Sequence, residues 1–220
     1  VGIGLRDSSA ALTPYLSAFQ APLLLLYTGP WTISLNPFNH SPLTEGELKQ
    51  DCLCYLSFQG KPVKASRLFA GYHHEVFIKK LAVHFQCAED HYLSVSPDQQ
   101  IIEKWWLAKD EELNALFSGS GYLNTYEESY HAGMICLLRQ QKKSTELVLG
   151  TGSVKKIFVD GGFSKNPLFM KLLARSFPQM ELFAASLAQA SALGAALSIH
   201  HQWNEEALPG YLPELKSYSV

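Results

Sequence analysis

The clearest pattern of apolar and polar positions lies between Lys155 and Leu197, and it predicts strands and helices in alternation. A short β-prone apolar run, Lys156–Asp160, is broken by the glycine pair Gly161-Gly162. Asn166 is a good N-cap residue, and Pro167 suits the first turn of a helix. A strand, a glycine turn and a helix are therefore expected in that order.

The same stretch then repeats the pattern. Pro178 ends the first helix, and Glu181–Ala185 returns to a strand-like run. Ser186 is expected to cap a second helix that begins at Leu187. The whole stretch is a predicted βαβα unit.

Weaker patterns fill the rest of the chain. Asp7 or Ser8 is expected to cap a helix that runs to about Ala18, and the segment after Leu197 is expected to be loosely packed on the surface. The other predicted elements are a hairpin of Pro22–Tyr27 and Trp31–Asn36, strands Asp51–Phe58 and Val63–Leu68, and helices His73–Phe85, one from Ser96-Pro97, and Thr125–Gln141.

Composition narrows the class of protein. The chain has 220 residues, of which 47% are hydrophobic and 17% charged, so one domain or one large lobe with a proper core is expected. A net charge of −2 gives no excess of basic residues that would bind nucleic acid or an acidic membrane. The longest apolar stretch, Ala21–Tyr27, is too short to span a bilayer, and no leader pattern is visible.

Two groups of residues that could bind metal or form disulfides are interpreted as structural. The four cysteines lack Cys-x-x-Cys spacing, which indicates a reduced, cytoplasmic setting. His73-His74-Glu75 has no partner at helical ligand spacing, so a polar helix start is expected there. No metal site is therefore predicted in this chain.

The glycine pair Gly161-Gly162 allows a specific chemistry. Glycine lets a ligand approach the backbone closely, and a turn that leads into a helix offers N–H groups to phosphate or ribose oxygens. A tight strand-to-helix turn without a ligand is the alternative. The second helix has mostly small side chains around Gly194, so another backbone or a flat ligand can lie against it.

Two motifs together resemble a known family. Asp160-Gly161-Gly162-x-x-x-Asn166-x-x-Phe169-Met170 is followed, about one strand later, by Ala190-Ser191-Ala192-Leu193-Gly194-Ala195-Ala196. This pair resembles the nucleotide-binding end of the FGGY carbohydrate kinases, within the wider superfamily of sugar kinases, actin and Hsp70. The resemblance implies an α/β, ribonuclease H-like lobe with a mixed sheet flanked by helices.

The resemblance also implies roles for particular residues. Gly4-x-x-Asp7-x-x-Ala10-Ala11 is similar to the point where the family places its catalytic aspartate, so Asp7 is the expected base that accepts the sugar hydroxyl proton. Thr28-Gly29 is similar to the family's second phosphate loop. The implied nucleotide-binding residues are Thr28, Gly29, Gly161, Gly162 and Asn166.

The match covers only the second half of such a kinase. Residues 1–220 are therefore expected to form a C-terminal FGGY domain whose N-terminal lobe is absent from this chain. The implied activity is transfer of the ATP γ-phosphate to a ketose or deoxyketose such as xylulose, rhamnulose or fuculose. ATP and Mg²⁺ are the implied cofactors, with the metal mostly held by the other lobe. The implied partners are the sugar and that lobe, and a homodimer is left open.

Two departures from the family pattern keep an alternative open. Pro30 occupies the place of the usual threonine, and proline offers neither a hydroxyl nor an N–H to a phosphate. Gln189 stands where the family usually has glutamate. The alternative is a non-catalytic actin-like module that binds a nucleotide or a protein partner.

Overall fold

The computed structural model describes residues 4–150, 154–187, 189–206 and 214–219. Within these ranges the α-helices are α1 (Asp7–Ala18), α2 (Glu45–Lys49), α3 (Ala70–Phe85), α4 (Gln99–Trp106), α5 (Asp110–Ser118), α6 (Tyr126–Leu149), α7 (Pro167–Ser176) and α8 (Ala190–Ser198). The strands are β1 (Leu23–Thr28), β2 (Thr32–Asn36), β3 (Cys52–Leu56), β4 (Pro62–Leu68), β5 (Lys156–Gly161), β6 (Glu181–Ser186) and β7 (Glu214–Tyr218).

The strands form one mixed sheet in the order β3-β4-β2-β1-β5-β6-β7. The central neighbours β1, β5 and β6 are parallel, and the outer pairs are antiparallel. Parallel neighbours place their carboxyl ends at the same edge of the sheet. The fold class expected from the sequence, an α/β lobe with a mixed sheet flanked by helices, is confirmed.

Helices cover both faces of the sheet, and β1 shows why. Leu24 and Leu26 pack into a core shared with α3, α6 and α7, whereas Leu23 and Leu25 face a second core that includes α1. All four leucines are fully buried or nearly so. A strand buried on both faces is apolar throughout, which explains the unbroken run of leucines.

Helix α6 is longer than the predicted Thr125–Gln141 because its C-terminal half is polar yet buried. Gln141 accepts a hydrogen bond from the Thr32 hydroxyl, and the Thr145 hydroxyl lies 3.0 Å from the Ser34 hydroxyl. These polar side chains pack on the sheet without forming the apolar stripe on which a helix prediction depends. The observed helix therefore runs on to Leu149.

The expected start of the last helix is wrong. Ser186 belongs to β6, and α8 begins only at Ala190, after Gln189 in the left-handed region at φ 56°. Strand pairing with β7 holds Ser186 opposite Glu214, which keeps it extended. The residues Pro209, Gly210 and Pro213 of the predicted loose tail lie outside the described residues.

Helix α1 also begins differently from the expectation. Arg6 is its N-cap, without a side-chain hydrogen bond, and Asp7 is the first helical residue. The Asp7 carboxylate accepts the N–H of Ser8 at 2.8 Å, so it still satisfies one free donor of the first turn. Asp7 is therefore not the N-cap, although it supports the helix start.

Candidate functional site

The turn after β1 and the turn after β5 meet at one edge of the sheet. Thr28 pairs with Gly161 in the parallel β1–β5 ladder. The Thr28 hydroxyl donates to the carbonyl of Asp160 at 2.6 Å and accepts the N–H of Phe163 at 3.0 Å. The structure thus brings Thr28-Gly29 and Gly161-Gly162 together, as one shared ligand would require.

Gly161 and Gly162, in the turn after β5, have different structural roles. Gly161 has φ 91°, and a Cβ there would lie 1.9 Å from the carbonyl oxygen of Thr28, so only glycine fits. A Cβ on Gly162 would meet no atom within 4 Å. Gly161 therefore allows the strands to approach, and Gly162 leaves open space beside the backbone.

The Asp160 carboxylate holds the end of β5 in place through two hydrogen bonds. Its Oδ1 accepts the N–H of Gly161 at 2.7 Å, and its Oδ2 accepts the hydroxyl of Tyr15 at 2.8 Å. Burial raises the pKa of Asp160, while these two hydrogen bonds oppose the rise. Burial, together with the Asp160 charge, also raises the pKa of Tyr15. The pair joins the glycine turn to α1.

A cavity of about 250 Å³, here called the inner cavity, opens between these turns and the start of α7. Of the predicted nucleotide-binding residues, Thr28, Gly29, Gly162 and Asn166 line it, and Gly161 lies behind it. The Asn166 side chain caps α7 by accepting the N–H of Phe169 at 3.0 Å. The inner cavity therefore has a helix start at one wall, where N–H groups favour an anion.

Sequence reasoning missed seven further residues of the inner cavity, which are Gly71, His74, Tyr92, Leu93, Phe163, Lys165 and Pro167. His74 lines it and is buried, and burial lowers the pKa of this histidine to about 4. Lys165 and Gly71 line it as well. Lys165 directly precedes Asn166, so a cation beside the motif was visible; nothing local in the sequence pointed to His74 or Gly71.

A second cavity of about 240 Å³, here called the outer cavity, contains Asp7. Arg6, Tyr55 and Arg67 also line it, and Gly29 lines both cavities. The turn from Thr28 to Trp31 therefore separates the two spaces.

The turn itself has few free hydrogen-bonding groups. The Gly29 N–H donates to the Trp31 carbonyl at 2.9 Å, and the Pro30 carbonyl accepts the N–H of Tyr72 at 3.0 Å. The Thr28 hydroxyl is also occupied on both sides. These residues therefore shape the wall of the inner cavity with groups that are already hydrogen-bonded.

Helix α8 packs directly against α1, the helix that carries Asp7. A Cβ on Gly194 would lie 1.7 Å from the carbonyl oxygen of Ala10, so α1 and α8 are in backbone contact. The Ser191 hydroxyl donates to the carbonyl of Asp7 at 3.0 Å. The small side chains of α8 thus allow the backbone of α1 to lie against it, which is one of the two contacts expected from the sequence.

The described part of the chain contains neither a metal-binding cluster nor a membrane-spanning helix. No group of three or more His, Cys, Asp or Glu side chains there could hold a metal ion. No helix among the same residues has the length and apolar character needed to cross a membrane.

Solved structures share the fold. A carbohydrate kinase from Novosphingobium aromaticivorans is 22% identical, with a TM-score of 0.62 over 98% of this chain and 48% of that one. A xylulose kinase from Bifidobacterium adolescentis is 15% identical, with a TM-score of 0.64 over 97% of this chain and 43% of that one. A Plasmodium falciparum glycerol kinase, solved with ADP, is 14% identical, with a TM-score of 0.58 over 90% and 42%.

The chain spans less than half the length of these three solved structures. No curated protein matches the sequence. Residues 20–207, most of the chain, match the family described as carbohydrate kinase FGGY, C-terminal domain. The chain therefore belongs to the FGGY carbohydrate kinases, as a C-terminal domain of that family.

Proposed function

We propose that this chain is the nucleotide-binding half of an ATP-dependent sugar kinase. The observation that carries the proposal is the meeting of the Thr28–Trp31 turn with Gly161-Gly162, which places the inner cavity beside the outer one. A nucleotide on one side and a sugar on the other would then face each other across a single turn. Membership of the FGGY carbohydrate kinases supports a kinase role for the chain.

The inner cavity fits the base and sugar of a nucleotide. Its walls combine aromatic rings, Tyr92 and Phe163, with the polar side chains of His74 and Asn166. Open space beside the Gly162 backbone leaves room for close approach by a flat ligand. The exposed Lys165 supplies a positive charge at the same wall for phosphate oxygens.

Asp7 is the proposed base of the reaction. ATP supplies the phosphoryl group, and phosphoryl transfer depends chiefly on positioning and on stabilisation of charge. The exposed Asp7 carboxylate lines the outer cavity, where it can accept the proton of a sugar hydroxyl. The described residues do not fit a Mg²⁺ site by themselves, so no step is assigned to metal ligands of this chain.

The proposed acceptor is a ketose or deoxyketose such as xylulose, rhamnulose or fuculose. A similar fold occurs in a xylulose kinase, which supports a sugar of this size. The test is an ADP-release assay on the full-length protein that contains this chain, with each ketose offered in turn. Saturable, sugar-dependent release is expected with one of them.

Pro30 favours a second candidate, a non-catalytic module that binds nucleotide or a partner. It leaves the turn without a hydroxyl or N–H at that position. Nucleotide binding by the full-length protein, without sugar-dependent ADP release on a broad sugar panel, would support this candidate and contradict the kinase.

The chain alone is expected to be inactive. With half of the cleft missing, we expect no sugar phosphorylation and at best weak ATP binding. Calorimetric titration of the isolated chain with ATP and Mg²⁺ tests this expectation. A micromolar affinity would show that the inner cavity is complete without the other lobe.

A further inference from the structure

A chain of hydrogen bonds runs behind the wall of the inner cavity. The Tyr130 hydroxyl lies 2.8 Å from the Asn166 amide nitrogen and 3.0 Å from His74 Nε2. Tyr130 is fully buried in α6, His74 is in α3, and Asn166 begins α7. Three helices that are distant in sequence are thus joined at one phenol.

The direction of each hydrogen bond follows from the chemistry of the groups. The Asn166 amide nitrogen can only donate, so the Tyr130 oxygen accepts from it. His74 Nε2 is the other hydrogen-bond partner of Tyr130 among the described residues, so we assign it as the acceptor of the phenol proton. His74 must then be neutral, with its proton on Nδ1. Burial, which lowers the pKa of His74 to about 4, keeps the ring neutral at pH 7.

The amide of Asn166 is therefore fixed from both ends. Its oxygen accepts the N–H of Phe169, and one of its hydrogens is donated to Tyr130. A flipped amide would place its nitrogen against the Phe169 N–H and lose that bond, and it could keep the bond to Tyr130 only if the phenol proton turned away from His74. One hydrogen and one oxygen lone pair remain for a ligand.

The residues differ in their access to the inner cavity. Asn166 and His74 line it, whereas Tyr130 does not and is 0% exposed. Tyr130 can therefore act on a ligand only through its neighbours. The adjacent aromatic residue Tyr126 stacks on Tyr130 with a ring separation of 6.2 Å, yet its own hydroxyl has no hydrogen-bond partner among the residues that the structure describes.

We infer that Tyr130 and His74 are positioning residues, which hold the Asn166 amide in one orientation for the purine base of the nucleotide. The inference rests on the proposed function and adds base selectivity to it. Adenine presents an amino donor beside the N7 acceptor, whereas guanine presents two acceptors there. On that edge a fixed amide, with one donor and one acceptor free, pairs with adenine, whereas guanine would place a second acceptor against the amide oxygen.

The test is calorimetric titration of the full-length protein with ATP and with GTP, in the presence of Mg²⁺. Tyr130→Phe removes the phenol oxygen, so the amide is then held by the Phe169 N–H alone. The Kd for ATP should rise about tenfold, and the preference for ATP over GTP should narrow by a similar factor. In steady-state kinetics the KM for ATP should rise, while kcat stays within about threefold.

The matched control is Tyr126→Phe, on the same helix. It removes a buried hydroxyl that has no partner in the described part of the chain, so nucleotide affinity and selectivity should stay at wild-type values. His74→Leu removes the acceptor of the Tyr130 proton and should reproduce the Tyr130→Phe effect. His74→Gln supplies an amide oxygen as acceptor and should restore most of the lost affinity.

A double variant separates one connected chain from two independent effects. Tyr130→Phe combined with His74→Leu should cost no more affinity than either change alone, because each breaks the same connection. Additive losses would contradict the inference. So would a Tyr130→Phe protein with wild-type Kd and wild-type ATP preference.

Nucleotide binding by the wild-type protein distinguishes a failure of the proposed function from a failure of the inference. If it binds no purine nucleotide, both the proposed function and the inference fail. If it binds ATP and the Tyr130→Phe protein binds it equally well and with equal selectivity, only the inference fails. Melting temperatures of all variants identify any that are not folded. If the Tyr130→Phe protein is one of them, the difference in affinity between the His74→Leu and His74→Gln proteins decides the inference.

Discussion

The inner and outer cavities lie on opposite sides of one turn, but they are built in different ways. The inner cavity is framed by buried hydrogen bonds, such as those of the Thr28 hydroxyl and of Asn166. The outer cavity has exposed groups in its lining, among them Asp7 and Trp31. The same groups that shape the inner cavity therefore also hold the fold together, whereas an exposed group of the outer cavity such as Asp7 can change with little effect on stability.

The largest expected effect separates activity from stability at the outer cavity. In the full-length protein, Asp7→Asn should lower turnover by roughly two to four orders of magnitude, because an amide cannot accept the sugar proton. Its oxygen can still accept the Ser8 N–H, so unfolding free energy should fall by only about 0.5 kcal/mol from the lost charge at the helix start. Steady-state kinetics and thermal melting measure the two quantities.

The control for that experiment is Asp110→Asn. Asp110 is also the first residue of an exposed helix start, in α5, and it lines neither cavity. Its turnover should match wild type. If Asp7→Asn also stays within a few-fold of wild type, Asp7 serves the helix only, and the kinase proposal loses its base.

The next effect shows how strongly the inner cavity depends on the fold. Gly161→Ala should destabilise the chain by on the order of 4 kcal/mol, because it combines a positive φ with a Cβ 1.9 Å from the Thr28 oxygen. Gly162→Ala meets no atom within 4 Å and should cost less than about 1 kcal/mol. Urea unfolding measures both. Equal stabilities would mean that the strands can separate at this turn without cost.

A pH effect of intermediate size is expected from His74. Its pKa falls from 6.5 in the unfolded chain to about 4 in the fold, so the unfolded state binds the proton first as pH drops. The stability that this group contributes is complete above pH 6.5 and is lost progressively towards pH 4. The loss over that window should be about 2–3 kcal/mol.

His74→Gln provides the comparison, since glutamine accepts from Tyr130 but does not titrate. Urea unfolding at pH 7 and pH 4.5 should show a smaller loss for the variant than for wild type. His131, whose pKa is also lowered by burial, contributes in the same direction in both proteins and cancels in the difference. Identical losses would show that His74 is already solvated.

The smallest effect concerns Asp160. Burial raises the pKa of this carboxyl, so the folded state binds a proton more readily than the unfolded one, and stability from this group falls as pH rises from about 4 through the raised pKa. Asp160→Asn keeps an acceptor for the Gly161 N–H and a donor for the Tyr15 oxygen. At pH 7 it should change stability by about 1 kcal/mol or less, without that pH dependence. A larger loss would show that the charge itself is needed there.

Local chemistry explains which parts of the structure could be predicted. The turn and helix after β5 depend on the glycine pair, on the Asn166 cap and on Pro167, which are all close in sequence. The start of α8 depends instead on pairing between β6 and β7, which no local signal reveals. The same holds for the site: the glycine turns were visible as motifs, whereas His74 reaches the cavity only through the packing of α3 against α6.

The backbone contact between Ala10 and Gly194 has a consequence for the order of synthesis. Within this domain a ribosome makes α1 before α8, and β1 must also wait for β5, with Leu23 pairing with Lys156. Contacts so distant in sequence close late, after the intervening residues have left the ribosome. Within this domain, the helix that carries Asp7 is thus made well before the helix against which it packs. A nascent chain that stops before residue 190 would carry the aspartate without the helix that orients it.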